Sequence, residues 1–233
     1  MDTWIELARG PLFRIALAAL IIGLAYRLGT SVSQVVLAWR RAGDRQLPVR
    51  TVVTATLSWL FPVRLLRQRP LYGIASLLFH VGIIALPLFL AGHVALVQQL
   101  LPSFWPRLPG GVADTVSVVA LLALGGVLLG RLAVRPVRAL TRFQDVTVLG
   151  LLLLLVGFGF LAAHPALSPF PARTMLLLHI LAGDLALALT PVTKIAHCIV
   201  YPFTQLVFEL AWHFPADSGR HVVAALGKEG EPV

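Results

Sequence analysis

LYGIASLLFHVGIIALPLFLAGHVALVQQL, residues 71 to 100, runs thirty residues without an aspartate, glutamate, lysine or arginine. About 20 mostly apolar residues cross the hydrocarbon core of a bilayer as a helix, so this stretch reads as a spanning helix long enough to tilt or to project. It nevertheless carries His80 and His93. An ionisable side chain inside lipid is costly and marks a functional position by default.

The rest of the chain fits the same class. Of its 233 residues 58% are hydrophobic and 12% charged, against roughly 25% charged in a soluble domain. Four more segments are apolar enough to span, at about 12–30, 112–130, 146–163 and 175–201, the first continuing helically toward Trp39. Prolines punctuate the joints. The expected fold is an all-α membrane protein, a bundle of five transmembrane helices over residues 1–201, followed by a short tail at 202–233. Asp2 and Glu6 precede the first apolar run without a clear cleavage site, so the N-terminus reads as retained.

The formal net charge of +9 is nearly all arginine in short loops. That favours the positive-inside rule over nucleic-acid binding. The first loop holds Arg40, Arg41, Arg45, Arg50, Arg64, Arg67 and Arg69 against Asp44; the third holds Arg131, Arg135, Arg138 and Arg142 against Asp145. Histidine aside, the second and fourth loops have only Arg107 and Arg173. Five spans then put the N-terminus outside and the C-terminal tail in the cytoplasm, as a multi-pass protein of the cytoplasmic (inner) membrane. Within the first loop, TVVTATLSWLFPVRLLRQ (51–68) reads as an interfacial amphipathic helix or a covered connector. Trp39, Trp59 and Trp105 fall near the expected interfaces. The lone Cys198 excludes an intrachain disulfide or a CxxC metal site, and without CxxCH there is no covalent c-type haem.

A second segment, residues 175–201, carries His179 and His197. Two histidines on each of two helices is the ligand count of two bis-histidine haems, whose iron the protein tunes through its axial imidazoles. The helices run antiparallel, so depth pairs His93 with His179 on the outer side and His80 with His197 on the inner side. On one helix the 18 residues from His179 to His197 return to the same face about 27 Å away, allowing for a modest kink at Pro191. The 13 residues from His80 to His93 span about 20 Å and leave the rings about 140° apart. A kink or change of winding at Pro87 is therefore expected. Gly82 and Gly92 flank these histidines. They, like Gly125, Gly126 and Gly130, suit either approach to a flat macrocycle or helix packing.

FHVGI at 79–83, GH at 92–93 and PVTKIAHCIVYP at 191–202 resemble the cytochrome b gamma subunit of respiratory nitrate reductase. They are at least as similar to the related membrane cytochromes of sulfite-reductase-linked and heterodisulfide-reductase-linked complexes. The resemblance covers roughly residues 12–201; its most specific parts are the His-x17-His spacing and P-x-T-K-x-x-H. The nitrate reductase subunit has fewer residues between its first two histidines. The resemblance implies electron transfer between quinone (menaquinone or ubiquinone) and iron–sulfur partner subunits on the cytoplasmic side. Such a chain is a subunit of an oxidoreductase rather than a complete enzyme.

Other polar residues fit around this core. Arg27, Arg173 and Lys194 are candidates for haem propionates, through charge-assisted hydrogen bonds, although snorkelling to the surface explains Arg27 and Lys194 equally. Asp184 is a candidate for quinone-coupled proton transfer, with packing at a helix interface the preferred reading. His164 is a candidate for proton release from a quinol, with a solvated loop position preferred. His213 and His221 are assigned nothing, and Cys198 reads as a small filler. Two rivals stand beside the cytochrome. A haem-free proton or ion conductor would call for inverted repeats, which are absent from the sequence. A pure anchor leaves four histidines without a purpose.

Overall fold

The computed structural model describes residues 1–41, 50, 53–54, 57–58, 63–98, 102, 104–211 and 218–230. Among them every regular element is helical. Five helical stretches are long and apolar enough to cross a membrane: Asp2–Arg40, Pro70–Phe89, Gly110–Ala133, Phe143–Ala163 and Ala172–Val192. The chain divides into two compact units, Met1–Ile21 with Pro62–Ile195, and Ile22–Phe61 with Ala196–Val233.

The first helix begins earlier than the apolar pattern suggests. α1 (Asp2–Leu7) passes through a π-turn at Ala8–Leu12 into α2 (Phe13–Arg41). Pro11, inside the turn, has no N–H to continue the regular ladder. Asp2 lies in the first turn, where the positive end of the helix dipole favours it.

The first unit continues with α3 (Val63–Gln68), α4 (Pro70–Phe89), α5 (Ala91–Val97), α6 (Gly110–Ala133), α7 (Arg135–Leu140), α8 (Phe143–Ala163) and α9 (Ala172–Leu189). α4 packs on α6, α6 on α8, and α8 on α9. Their common core joins Phe79 and Leu86, Leu124 and Val127, and Leu149, Leu152 and Val156. A Cβ at Gly82 would lie 2.6 Å from the Cβ of Ala120. Helix packing thus accounts for that glycine, whereas a Cβ at Gly92, Gly125, Gly126 or Gly130 would meet nothing within 4 Å. The outward faces stay apolar: Leu122 is 72% and Leu129 66% exposed. Exposed leucines along a helix of this kind suit lipid rather than water.

Two of the expected spans are broken. Residues 71–100 do not form one helix: the chain turns extended at Leu90 (φ −67°, ψ 129°), three residues after Pro87, and restarts as α5. A helix end frees its last carbonyls, and here they find partners. Leu86 O accepts from Leu90 N–H at 3.0 Å and from His93 Nδ1 at 3.0 Å. Leu88 O accepts from Trp105 Nε1 at 2.8 Å, and Phe89 O from Leu108 N–H at 2.8 Å. The 140° separation calculated for an unbroken helix therefore does not apply.

Residues 175–201 are not one helix either. α9 stops at Leu189, and two 3-10 turns follow at Thr190–Val192 and Lys194–Ala196. Pro191 can neither donate nor sit without clash inside an α-helix. His179 and His197 consequently lie on different helices, which corrects the single-helix spacing of about 27 Å.

The second unit holds the later part of α2, α10 (His197–Ala211) and α11 (Ser218–Ala225). α10 runs through Pro202 instead of ending there. Of the amphipathic stretch 51–68, residues 51–52, 55–56 and 59–62 lie outside the described residues, as do Trp59 and His213. Its last part is α3, whose Leu66 comes within 3.0 Å of where a Gly73 Cβ would be.

Candidate functional site

The structure brings His93 and His179 together. His93 stands on α5, just past the Leu90 break, and His179 lies midway along α9. Their Nε2 atoms are 3.4 Å apart and their ring centres 5.7 Å apart, with planes 16° from parallel. Subtracting 3.4 Å from 5.7 Å leaves 2.3 Å, the sum of two centre-to-nitrogen radii of an imidazole. The rings therefore point at each other tip to tip.

The other ring nitrogens define what those tips are. His93 Nδ1 donates to Leu86 O at 3.0 Å, and His179 Nδ1 to Leu155 O at 2.9 Å. A carbonyl can only accept, so each Nδ1 carries the hydrogen, and a ring bonded in this way presents a lone pair at Nε2 in its neutral form. Two lone pairs facing at 3.4 Å repel unless a shared proton or a metal lies between them. A ring N–H on a backbone carbonyl is also the usual outer partner of a metal-bound histidine, fixing its tautomer and raising its basicity. Two imidazole–metal bonds of about 2 Å need about 4 Å between nitrogens, so a small outward shift of the rings would admit an iron. The donor set is therefore of the kind that can hold a metal between two imidazoles. No cluster of three or more metal-ligating side chains occurs among the described residues.

Gly159 completes this half of the site, and sequence reading missed it. A Cβ there would lie 2.8 Å from both Cε1 and Nδ1 of His179. The available signal was the glycine pair of VGFGF (156–160), set in a helix otherwise rich in leucine.

The remaining candidates are distributed differently. His80 is half-buried on α4, and its Nδ1 donates to Ser76 O at 2.7 Å. His197 opens α10 in the second unit and is exposed. Arg27, half-buried, also lies in the second unit, on α2. The other two propionate candidates reach carboxylates: Arg173 Nη1 is 2.5 Å from Asp2 Oδ1, and Lys194 Nζ is 2.5 Å from Asp145 Oδ1. Asp184 is buried on α9, and its Oδ2 has no hydrogen-bond partner among the described residues. His164 is more firmly held than a solvated loop residue. Its Nδ1 donates to Phe160 O at 2.9 Å, its Nε2 lies 3.4 Å from Asp114 Oδ2, and its ring stacks on Phe160.

A protein of Nitratidesulfovibrio vulgaris (strain Hildenborough), described only as "Protein", is 38% identical over 158 residues, which is 64% of this chain and 66% of that protein. No family model matches the chain. No solved structure matches it either.

Proposed function

We propose that the chain is the dihaem cytochrome b membrane subunit of a respiratory oxidoreductase complex. It would transfer electrons between the membrane quinone pool and iron–sulfur partner subunits at its cytoplasmic face. The carrying observation is the tip-to-tip contact of His93 and His179, each with Nδ1 committed to a carbonyl. A bound haem would supply a one-electron couple within the lipid region.

The chain's own part is to hold two lone pairs on one axis. Leu86 and Leu155 carbonyls lock the tautomers, and α8 packs against α9, which carries His179. His80, whose Nδ1 is likewise committed, and His197 are proposed as the further ligands on sequence grounds. Arg27, Arg173 and Lys194 stay proposed as propionate partners; the last two would share their charge with Asp2 and Asp145. The buried, unpartnered Oδ2 of Asp184 supports a role in quinone-coupled proton transfer.

Purified protein should show a reduced b-type spectrum with two haems per chain. H93A and H179A should each lose the same haem and leave one. A folded but colourless protein overturns the proposal, and loss of different haems by the two variants overturns the pairing.

A further inference from the structure

We propose that Gly159 is the positioning residue of the His93–His179 pair: its bare backbone lets the His179 ring lie against α8, with Nδ1 on the Leu155 carbonyl and Nε2 on the axis to His93. This rests on the haem reading above. The Cβ of a helical residue leans over the turn that precedes it. Any side chain at 159 therefore leans over the carbonyl of Leu155, four residues earlier. The geometry agrees: a Cβ at 159 would lie 2.8 Å from Nδ1 and Cε1 of His179, and 3.5 Å from its Cγ. Real Cβ atoms essentially never come so close, so an alanine must push the ring away. The ring would then leave its carbonyl and turn out of the plane it shares, within 16°, with His93.

The arrangement has a spectroscopic consequence. The relative orientation of two axial imidazoles sets the splitting of the iron d orbitals. Near-parallel planes give a rhombic low-spin ferric signal, and crossed planes a highly anisotropic one.

Electron paramagnetic resonance of the oxidised holoprotein tests the assignment. Wild type should show a rhombic low-spin signal that disappears in H93A and in H179A. In G159A that signal should move toward the anisotropic or the high-spin form. In G157A, whose new Cβ would meet only Leu121 at an ordinary 3.8 Å, it should stay. A wild-type protein without haem removes the underlying reading. A haem-loaded wild type whose His93–His179 signal is not rhombic, or is the same in G159A, overturns the role of Gly159 and leaves the haem reading intact. Should G159A fail to accumulate, the double variant G159A/H179A decides. Recovery of folded protein supports a clash with that ring, and failure of the double variant as well overturns it.

Discussion

Asp145 stands in the first turn of α8 with its side chain 7% exposed, and several elements use its two oxygens. Lys194, in the turn after α9, reaches Oδ1 at 2.5 Å; the Arg142 N–H donates to Oδ2 at 2.9 Å; Arg131 of α6 approaches Oδ2 at 3.8 Å. Arg131 also donates to the hydroxyl of Tyr72 on α4, at 3.3 Å. One carboxylate thus caps a helix and draws together the ends of its neighbours. D145A should lower stability by about 2–4 kcal/mol, since it removes a cap and leaves cations without their buried partner. K194A should cost less than about 1 kcal/mol, because that ammonium is half exposed and solvent screens it. Unfolding midpoints in detergent check the order; an equal effect of the two would refute the central role of Asp145.

At the scale of elements, close approach and interruption matter more than helix length. α4 and α6 touch where Gly82 meets Ala120. G82A should force the pair apart and cost about 1–3 kcal/mol, as overpacking of a tight contact does. G92A meets nothing within 4 Å and should leave the melting temperature within a degree or two, because substitutions without such contacts are close to neutral. Comparable losses in both variants would contradict the packing. The interruption at Leu90 is what lets α5 direct His93 independently of His80. It also brings His93 Nδ1 onto Leu86 O, which already accepts the helical Leu90 N–H, so the same break both aims the ring and fixes its tautomer.

At the scale of the whole molecule, the positive-inside reading yields an orientation that accessibility can test. In a cysteine-free background (C198S), a cysteine introduced at Arg138 should react with an impermeant maleimide only after the membrane is opened. One introduced at Leu167 should react in intact cells or spheroplasts. The reverse pattern would invert the topology and move the proposed partner face to the other side. Loss of haem from H93A and H179A would be unaffected by that inversion, so the two tests are independent.

Apolar runs long enough to span a bilayer were legible in the sequence, because lipid admits a helix only if nearly every residue along it is apolar. The arginine-rich loops and the four histidines of the apolar segments were equally legible, and the expected antiparallel order paired His93 with His179, whose Nε2 atoms are 3.4 Å apart. Helix continuity was not. Prolines 87 and 191 marked where breaks were possible, but whether each became a kink or a full stop depended on partners for the freed carbonyls. At the first break those came from Trp105 and Leu108, distant in the chain. Nor could the sequence assign Gly159, since its meaning lies in the ring of a residue twenty positions away. Residue type and spacing thus determined a multi-span apolar chain carrying four histidines in its apolar segments. Only the tertiary structure decided which ring nitrogens face each other, because that depends on hydrogen bonds and close contacts between helices.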